Sequence, residues 1–428
     1  MINIYTFNII TLGCRVNQYE SRSIAEKLVS LGFEEKQRPD GCDLCIINTC
    51  AVTAEASRKS RQMIRRAAAN GSDPVVIAVG CWTQIEPEKA AELGCADLVC
   101  GVGDKQKICE TALDLLKNRS KKTLTELSPV DVYDRYDHTK PESIREFLKI
   151  EDGCDGKCAY CVIPKARGPV RSRDPEEAFE EARTLCKNGA KELVVTGIEI
   201  SGYQLGLTDL LKRIDGIEEL ERIRLGSLDP FMMNEEFVSG LASIPKIAPH
   251  FHLSIQSGCS RTLAAMRRRY NAGRAMEAVE RIRKHFPRAM LTCDLIVGFP
   301  GETDEDHTET MRFMEKARFL HAHIFPYSPR PGTEAAGMPG QLSGHVKEKR
   351  LHEVEDLQKA VSFDLLNEVI NKREPLPVLI EKHEKGYVFG HSDNFIEVKA
   401  KSDEDLTGRT VFALPSSAEG EGLCGKIV

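Results

Sequence analysis

Three of the fifteen cysteines fall in one short stretch, GCDGKCAYC, which sets Cys154, Cys158 and Cys161 in a single loop. Thiolates are soft ligands, and three on so short an arc point to a metal centre. Structural zinc usually takes four ligands as two short pairs, and no second pair lies nearby. Three thiolates, flanked by Gly153 and Gly156, suit instead three corners of an iron–sulfur cube. The fourth iron then stays open to a substrate or cofactor. Three further cysteines, Cys14, Cys50 and Cys81, each follow a strand-like run, and a CxxC pair, Cys42 and Cys45, lies just before and within the run that Cys50 follows. The pair has the spacing of a redox couple but reads as packing. Cys95, Cys100, Cys109, Cys186, Cys259, Cys293 and Cys424 read as packing residues too.

The elements that position these thiols alternate. Strand-like runs IYTFNIITL, LCIIN, VVIAVG and DLVCG are followed by helical segments Asn17 to Leu31, Thr53 to Ala69, Glu86 to Leu93 and Asp104 to Lys117. That alternation predicts an open parallel α/β sheet, in which ligands gather outside the carboxyl ends of the strands. Cys14, Cys50 and Cys81 follow three of those ends, so the fold brings to one crevice what no single loop holds. A charged segment, Asn118 to Pro141, lacks either periodicity and reads as a linker. From Ser143 a second series runs through REFLKIED, ELVVTGIEI, RIRLGSL, HFHLSIQS, MLTCDLIVG and LHAHIFPY, with helices such as Pro175 to Asn188, Glu235 to Leu241 and Glu305 to Arg318. Six strands so connected predict a partial β/α barrel with its chemistry at the strand C-termini. A long amphipathic segment, Val346 to Asn371, leads to short strands with turns at Lys385-Gly386 and Ser392-Asp393-Asn394. These predict a small antiparallel β-barrel of a kind that often binds nucleic acid. The fold class is thus α/β multidomain: residues 2–117, 140–371 and 372–428.

Composition sets outer bounds. The chain has 428 residues, 41% hydrophobic and 29% charged, with 59 Lys and Arg against 65 Asp and Glu for a net charge of -6. That excludes gripping nucleic acid by bulk charge, though not by a local basic face. Fifteen cysteines, an odd count, argue against a disulfide framework. Apolar runs are strand-sized, short of the ~20 residues of a membrane span. The N-terminus lacks a basic start and a small-residue cleavage site, so a cytoplasmic protein with no membrane partner is expected. Nothing in the sequence sets an oligomeric state.

The CxxxCxxC loop at the first strand of a β/α barrel resembles the radical S-adenosylmethionine (SAM) superfamily. Over nearly its whole length the chain resembles one branch, the methylthiotransferases. The matching pieces are TLGCRVNQYES, INTCAVT, VGCW, EDGCDGKCAYCVIPKARGP, HLSIQSG, RRRY, IVGFPGET and FPYSPRPGT. The closing barrel resembles the TRAM domain, an OB-like fold. The resemblance implies two [4Fe–4S] clusters, a radical SAM cluster on Cys154, Cys158 and Cys161 and an auxiliary cluster on Cys14, Cys50 and Cys81. It implies that SAM, bound at the first, is cleaved by one electron to a 5′-deoxyadenosyl radical, and that sulfur at the second is methylated by another SAM and inserted at the target carbon. It implies SAM contacts from Thr196, Gly197 and Glu199, from Ser254 and Gln256, and from Val297, Gly298, Phe299 and Pro300. Arg267, Arg268 or Arg269 would pair a carboxylate or a phosphate.

TLGCRVNQYES with NTCAVTAEASRKSRQ resembles the subgroup that acts on N6-threonylcarbamoyladenosine at position 37 of tRNA. Isopentenyladenosine of tRNA and an aspartate of a ribosomal protein are the alternative substrates in the branch. An iron–sulfur RNA-binding or electron-transfer protein is the alternative of a different class. The expected partners are a tRNA anticodon stem-loop and an electron donor such as flavodoxin or ferredoxin. Arg58, Arg61 and Arg65, spaced i, i+3, i+7 after Cys50, share one helix face and form a candidate stripe for RNA phosphates. The plain alternative is a solvated helix face.

Overall fold

The computed structural model describes residues 4–103, 105–118, 123–128, 130, 133 and 138–428. Contacts divide the chain into two compact units, one of residues 1–140, 149–174 and 328–336, the other of 141–148, 175–327 and 337–428.

The first unit is built on a parallel sheet of β1 (Thr6–Thr11), β2 (Glu34–Glu35), β3 (Leu44–Thr49), β4 (Val75–Gly80), β5 (Leu98–Cys100) and β6 (Leu124–Glu126), in the order β2-β1-β3-β4-β5-β6. The central strands LCIINT and VVIAVG are buried along their whole length, the mark of a parallel strand covered on both faces. Alternation sorts their side chains. Ile46, Ile77 and Val79 meet Ile24, Leu28, Ile108 and Leu115 of helices Arg15–Ser30 and Lys105–Lys117. Ile47, Val76 and Ala78 meet Ile64 and Ala67 of helix Ala54–Ala68 together with Trp82. That helix starts where Thr53 caps it, its hydroxyl accepting from the Ala56 N–H at 3.0 Å. The helices named from the sequence are all present with ends shifted by no more than two residues, Asp104 itself lying outside the described residues. Much of the linker 118–141 also lies outside them, but its described part corrects the reading. Leu124–Glu126 pairs in parallel with β5 and extends the sheet, backbone pairing that an exposed, non-periodic segment does not announce.

In the second unit, β7 (Arg145–Lys149, whose last residue belongs to the first unit) pairs in a three-stranded sheet β11-β10-β7 with β10 (Glu192–Thr196) and β11 (Arg222–Leu225). The small ladder of β8 (Glu151–Asp152) and β9 (Arg171–Ser172) belongs to the first unit. A four-stranded parallel sheet follows: β12 (Ser227–Leu228), β13 (His250–Gln256), β14 (Met290–Val297) and β15 (His321–Pro326). The run expected as one strand, RIRLGSL, is therefore split at Gly226, whose N–H turns to the Val195 carbonyl at 2.8 Å. This is the β/α partial barrel, with the helix Gly344–Lys372 leading out of it.

The chain ends in a closed barrel, β16-β17-β18-β20-β19, of Leu376–Glu384, Tyr387–Ser392, Glu397–Lys401, Gly422–Ile427 and Thr410–Glu419. Lys385-Gly386, both at positive φ, form the expected two-residue hairpin turn. The barrel is not wholly antiparallel, because β18 and β20 pair in parallel to close it. Its β17–β18 turn reaches the amino ends of the parallel strands. Phe395 stacks on His250 at 4.3 Å and on His391 at 4.9 Å, with Arg224 4.9 Å and Arg145 5.6 Å from its ring centre. Arg222 ties the same end down through the His391 and Pro377 carbonyls at 2.9 and 2.8 Å. Among the described residues no helix is long and apolar enough to cross a membrane.

Candidate metal centres and cofactor site

Cys14, Cys50 and Cys81 follow β1, β3 and β4, which are adjacent in the sheet and parallel, so all three leave the same edge. Adjacent strands lie roughly 4.8 Å apart, a spacing that gathers side chains at successive strand ends. Cys14 is the N-cap residue of helix Arg15–Ser30, and Cys81 opens helix Cys81–Ile85. Gly13 turns at φ +100°, and a Cβ there would sit 2.9 Å from the Cys50 sulfur, so only glycine lets the Cys14 loop close on Cys50. Burial, and then the charge of Cys81, pushes the Cys50 thiol up to about 12. Ligation by a metal is what would make such a thiol a thiolate.

Cys154, Cys158 and Cys161 are half-buried in the first unit's loop. Gly153 turns at φ +86° where a Cβ would collide with the Pro169 carbonyl, which forces glycine at the loop's entry. The loop closes with the Cys154 N–H on the Gly168 carbonyl at 3.1 Å. Gly156 donates its N–H to the Cys154 sulfur at 3.3 Å, and a Cβ there would lie 3.0 Å from that sulfur and 3.9 Å from the Cys158 sulfur.

The donor sets fit thiolate ligation. Arg167, fully buried, donates from Nε to the Cys81 sulfur at 3.3 Å. Arg330, 6% exposed, donates to the Ser57 hydroxyl at 2.8 Å, while its buried Nε finds no acceptor among the described residues. Cationic N–H groups beside sulfur suit an anionic cluster. Among the described residues no three Cys, His, Asp or Glu side chains gather on a single metal ion. A cube asks for something else, since each iron takes its own thiolate.

Behind Cys81 lies a buried charge cluster that the sequence did not announce. Glu20 accepts from Lys105, from Lys149 at 2.8 Å and from Arg167 at 2.8 Å. Asp152 accepts from Lys149 at 2.7 Å and Arg167 at 3.0 Å, and the Asn17 oxygen accepts from Arg167 at 2.7 Å. Cys42 and Cys45 lie in apolar core, where burial pushes Cys45 up to about 12, as packing residues would.

The expected SAM contacts lie in the second unit. Thr196 ends β10, Gln256 ends β13 at φ +62°, and Val297 ends β14, followed by Gly298, Phe299 and Pro300. These are carboxyl ends of parallel strands, where the barrel's chemistry is expected. Glu199, two residues past Gly197, receives the Ser201 N–H at 3.3 Å. Burial and then Asp229 push its carboxyl up to about 7. Ser254 donates to the Leu228 carbonyl at 3.2 Å, and the Gly298 N–H meets Glu302 at 3.0 Å. Of the three arginines in RRRY, Arg268 is turned inward, paired with Asp229 at 2.9 Å and lying over the Tyr270 ring, while Arg267 and Arg269 are exposed. Asp229 was missed in the sequence because a single carboxylate in a loop carries no pattern. Arg58, Arg61 and Arg65 lie on helix Ala54–Ala68. Arg58 pairs with Glu55 at 2.7 Å, Arg61 rests 5.7 Å from the Trp82 ring centre, and Arg65 is exposed.

Residues 148–314 match the radical SAM superfamily, and residues 6–101 match the uncharacterized protein family UPF0004. The chain is 35% identical over 413 residues to the threonylcarbamoyladenosine tRNA methylthiotransferase MtaB of Bacillus subtilis, covering 94% of this chain and 91% of that one. It is 32% identical over 439 residues to a tRNA-2-methylthio-N(6)-dimethylallyladenosine synthase of Moorella thermoacetica, covering 99% and 98%. In fold it is similar to the radical SAM methyltransferase TsrM from Kitasatospora setae, with TM-score 0.58 at 16% identity over 78% of this chain and 74% of that one. Joined to the strand-end thiols and the CxxxCxxC loop, these likenesses settle the family: the chain belongs to the radical SAM methylthiotransferases, on their MtaB-type branch.

Proposed function

We propose that this enzyme transfers a methylthio group to C2 of N6-threonylcarbamoyladenosine at position 37 of tRNA, giving the 2-methylthio derivative. The observation that carries the reading is two separate thiol triads in a chain that matches MtaB proteins over nearly its full length. On this reading the 2–117 segment holds the auxiliary [4Fe–4S] cluster, 140–371 the radical SAM core and 372–428 the TRAM-like barrel. Bound there, the clusters supply reductive cleavage of SAM at Cys154, Cys158 and Cys161 and a sulfur-carrying iron at Cys14, Cys50 and Cys81. Thr196, Gly197 and Glu199 approach the SAM amino group, while Ser254, Gln256 and Val297 to Pro300 shape the rest of its bed. The anticodon loop suits the reaction, since its bases unstack without opening a duplex. A small acidic protein such as flavodoxin or ferredoxin serves as electron donor. The test is mass spectrometry of tRNA nucleosides from a deletion strain. Loss of the methylthio-threonylcarbamoyl nucleoside supports the reading, and its persistence overturns it. Loss of the dimethylallyl counterpart instead would favour the second reading, to which the Moorella relative points.

Glu199 gives a pH signature. Its carboxyl is pushed up to about 7, so it turns anionic as pH rises through that value and accepts the amino N–H of SAM more firmly above it. SAM affinity, measured by calorimetry on reconstituted enzyme, is expected to rise between about pH 6 and 8, and Glu199→Gln to flatten that rise. A variant with the parent's profile would take Glu199 out of the SAM site. Charge reversal at Arg58, Arg61 and Arg65 is expected to weaken tRNA binding and to reduce the slope of log affinity against log salt by about 0.7–0.9 for each phosphate no longer neutralised. An unchanged salt series would leave the stripe a solvated face.

A further inference from the structure

We infer that Arg167 sets the reduction potential of the auxiliary centre through its hydrogen bond to the Cys81 sulfur. The inference rests on the proposed assignment of Cys14, Cys50 and Cys81 to that centre. Arg167 ends the short helix Ile163–Arg167, six residues past Cys161, and is completely buried. Its fork is fully committed: Nε to the Cys81 sulfur at 3.3 Å, one terminal nitrogen to Glu20 and Asp152 at 2.8 and 3.0 Å, the other to Asn17 at 2.7 Å. A planar guanidinium held at both terminal nitrogens aims its Nε–H along one direction, which a lysine ammonium cannot reproduce.

The surroundings of Arg167 point the same way. Lys105, Lys149 and Arg167 are buried together with Glu20 and Asp152, and Arg171 lies 3.6 Å from Asp152. A buried cation is stabilised by each anion within its reach. As a cluster ligand Cys81 is a thiolate and is the anionic acceptor that the Arg167 fork reaches. Hydrogen bonds to cluster sulfurs and surrounding positive charge favour the reduced form, which carries one more electron, and so raise its potential. The same guanidinium bonds Asp152, two residues before Cys154, so one side chain grips a thiol of one triad and the root of the loop that bears the other.

The experiment uses the full chain with Cys154, Cys158 and Cys161 replaced by alanine, which isolates the auxiliary centre. After anaerobic reconstitution, its midpoint is read by EPR-monitored titration with dithionite, alone and with Arg167→Met or Arg167→Lys. The midpoint is expected to shift negative in Arg167→Met. It is expected to shift less in Arg167→Lys, which keeps the charge and the fold but loses the fixed donor. Midpoints equal to the parent's in both variants overturn the inference. A background protein that takes up no iron would instead sink the assignment of Cys14, Cys50 and Cys81, and with it the proposed function.

Discussion

Alanine at any one of Cys154, Cys158 or Cys161 is expected to abolish release of 5′-deoxyadenosine from SAM. Alanine at Cys14, Cys50 or Cys81 is expected to leave that release and stop methylthio transfer. The division follows from where the thiols sit. One triad lies on a single loop closed by Gly153, while the other is assembled from three adjacent strand ends and the first turn of two helices. Losing one thiolate of a three-thiolate cube removes one of its three anchors, so the affected cluster is expected to be lost as a whole. Iron should therefore fall from about eight per chain to about four in either class of variant, since each cube carries four. The two classes separate in the cleavage assay, run anaerobically with dithionite. If both lost cleavage alike at equal iron content and equal melting temperature, the two roles would not be divided between the triads.

The second large effect concerns stability. Glu20→Gln is expected to destabilise the first unit by about 3–5 kcal/mol, the usual cost of stranding buried charge. Glu20 is fully buried among Lys105, Lys149 and Arg167, and its loss takes from all three cations a buried carboxylate that they share. Burial by itself raises both carboxyls, but the cations outweigh it, holding Glu20 well below the usual range and Asp152 down to about 2. A carboxyl depressed on folding contributes stability that is complete above its unfolded value and lost as pH falls towards its folded one. Resistance to urea should therefore fall steeply below about pH 4, and Glu20→Gln should lower stability at neutral pH while shallowing that acid slope. Trp82, the only tryptophan and fully buried in this unit, reports the transition by its emission. A variant within about 1 kcal/mol of the parent would show that the cluster is poorly coupled to folding.

Much of this was readable from the sequence, and the reason is local. Continuous apolar runs such as VVIAVG, Thr53 before a periodic helix and three cysteines in one loop each carry their meaning within a few residues. Parallel strand order then made the convergence of Cys14, Cys50 and Cys81 foreseeable, because parallel strands share a carboxyl edge. The charge cluster was not readable. Glu20 meets Lys105 across 85 residues and Arg167 across 147, and a lysine or glutamate on a helix is read as solvated unless its partner is known. Arg330 and the segment Ser328–Ala336 were equally opaque: they follow a second-unit strand yet fold with the first unit, where Arg330 meets Ser57. Helices Leu207–Asp215 and Ala272–His285 are amphipathic enough to have been named from their pattern and were left unassigned.

The Phe395 turn has a consequence for the terminal barrel. Stacked rings and guanidinium groups pack against the end where the parallel strands begin, while Thr196, Gln256 and Val297 stand at the strands' opposite, carboxyl ends. The terminal barrel is then a floor as well as a candidate hand for RNA. Removing it would strip the stacked Phe395 and its ring partner His391 from His250, Arg145 and Arg224 and leave that end of the sheet bare.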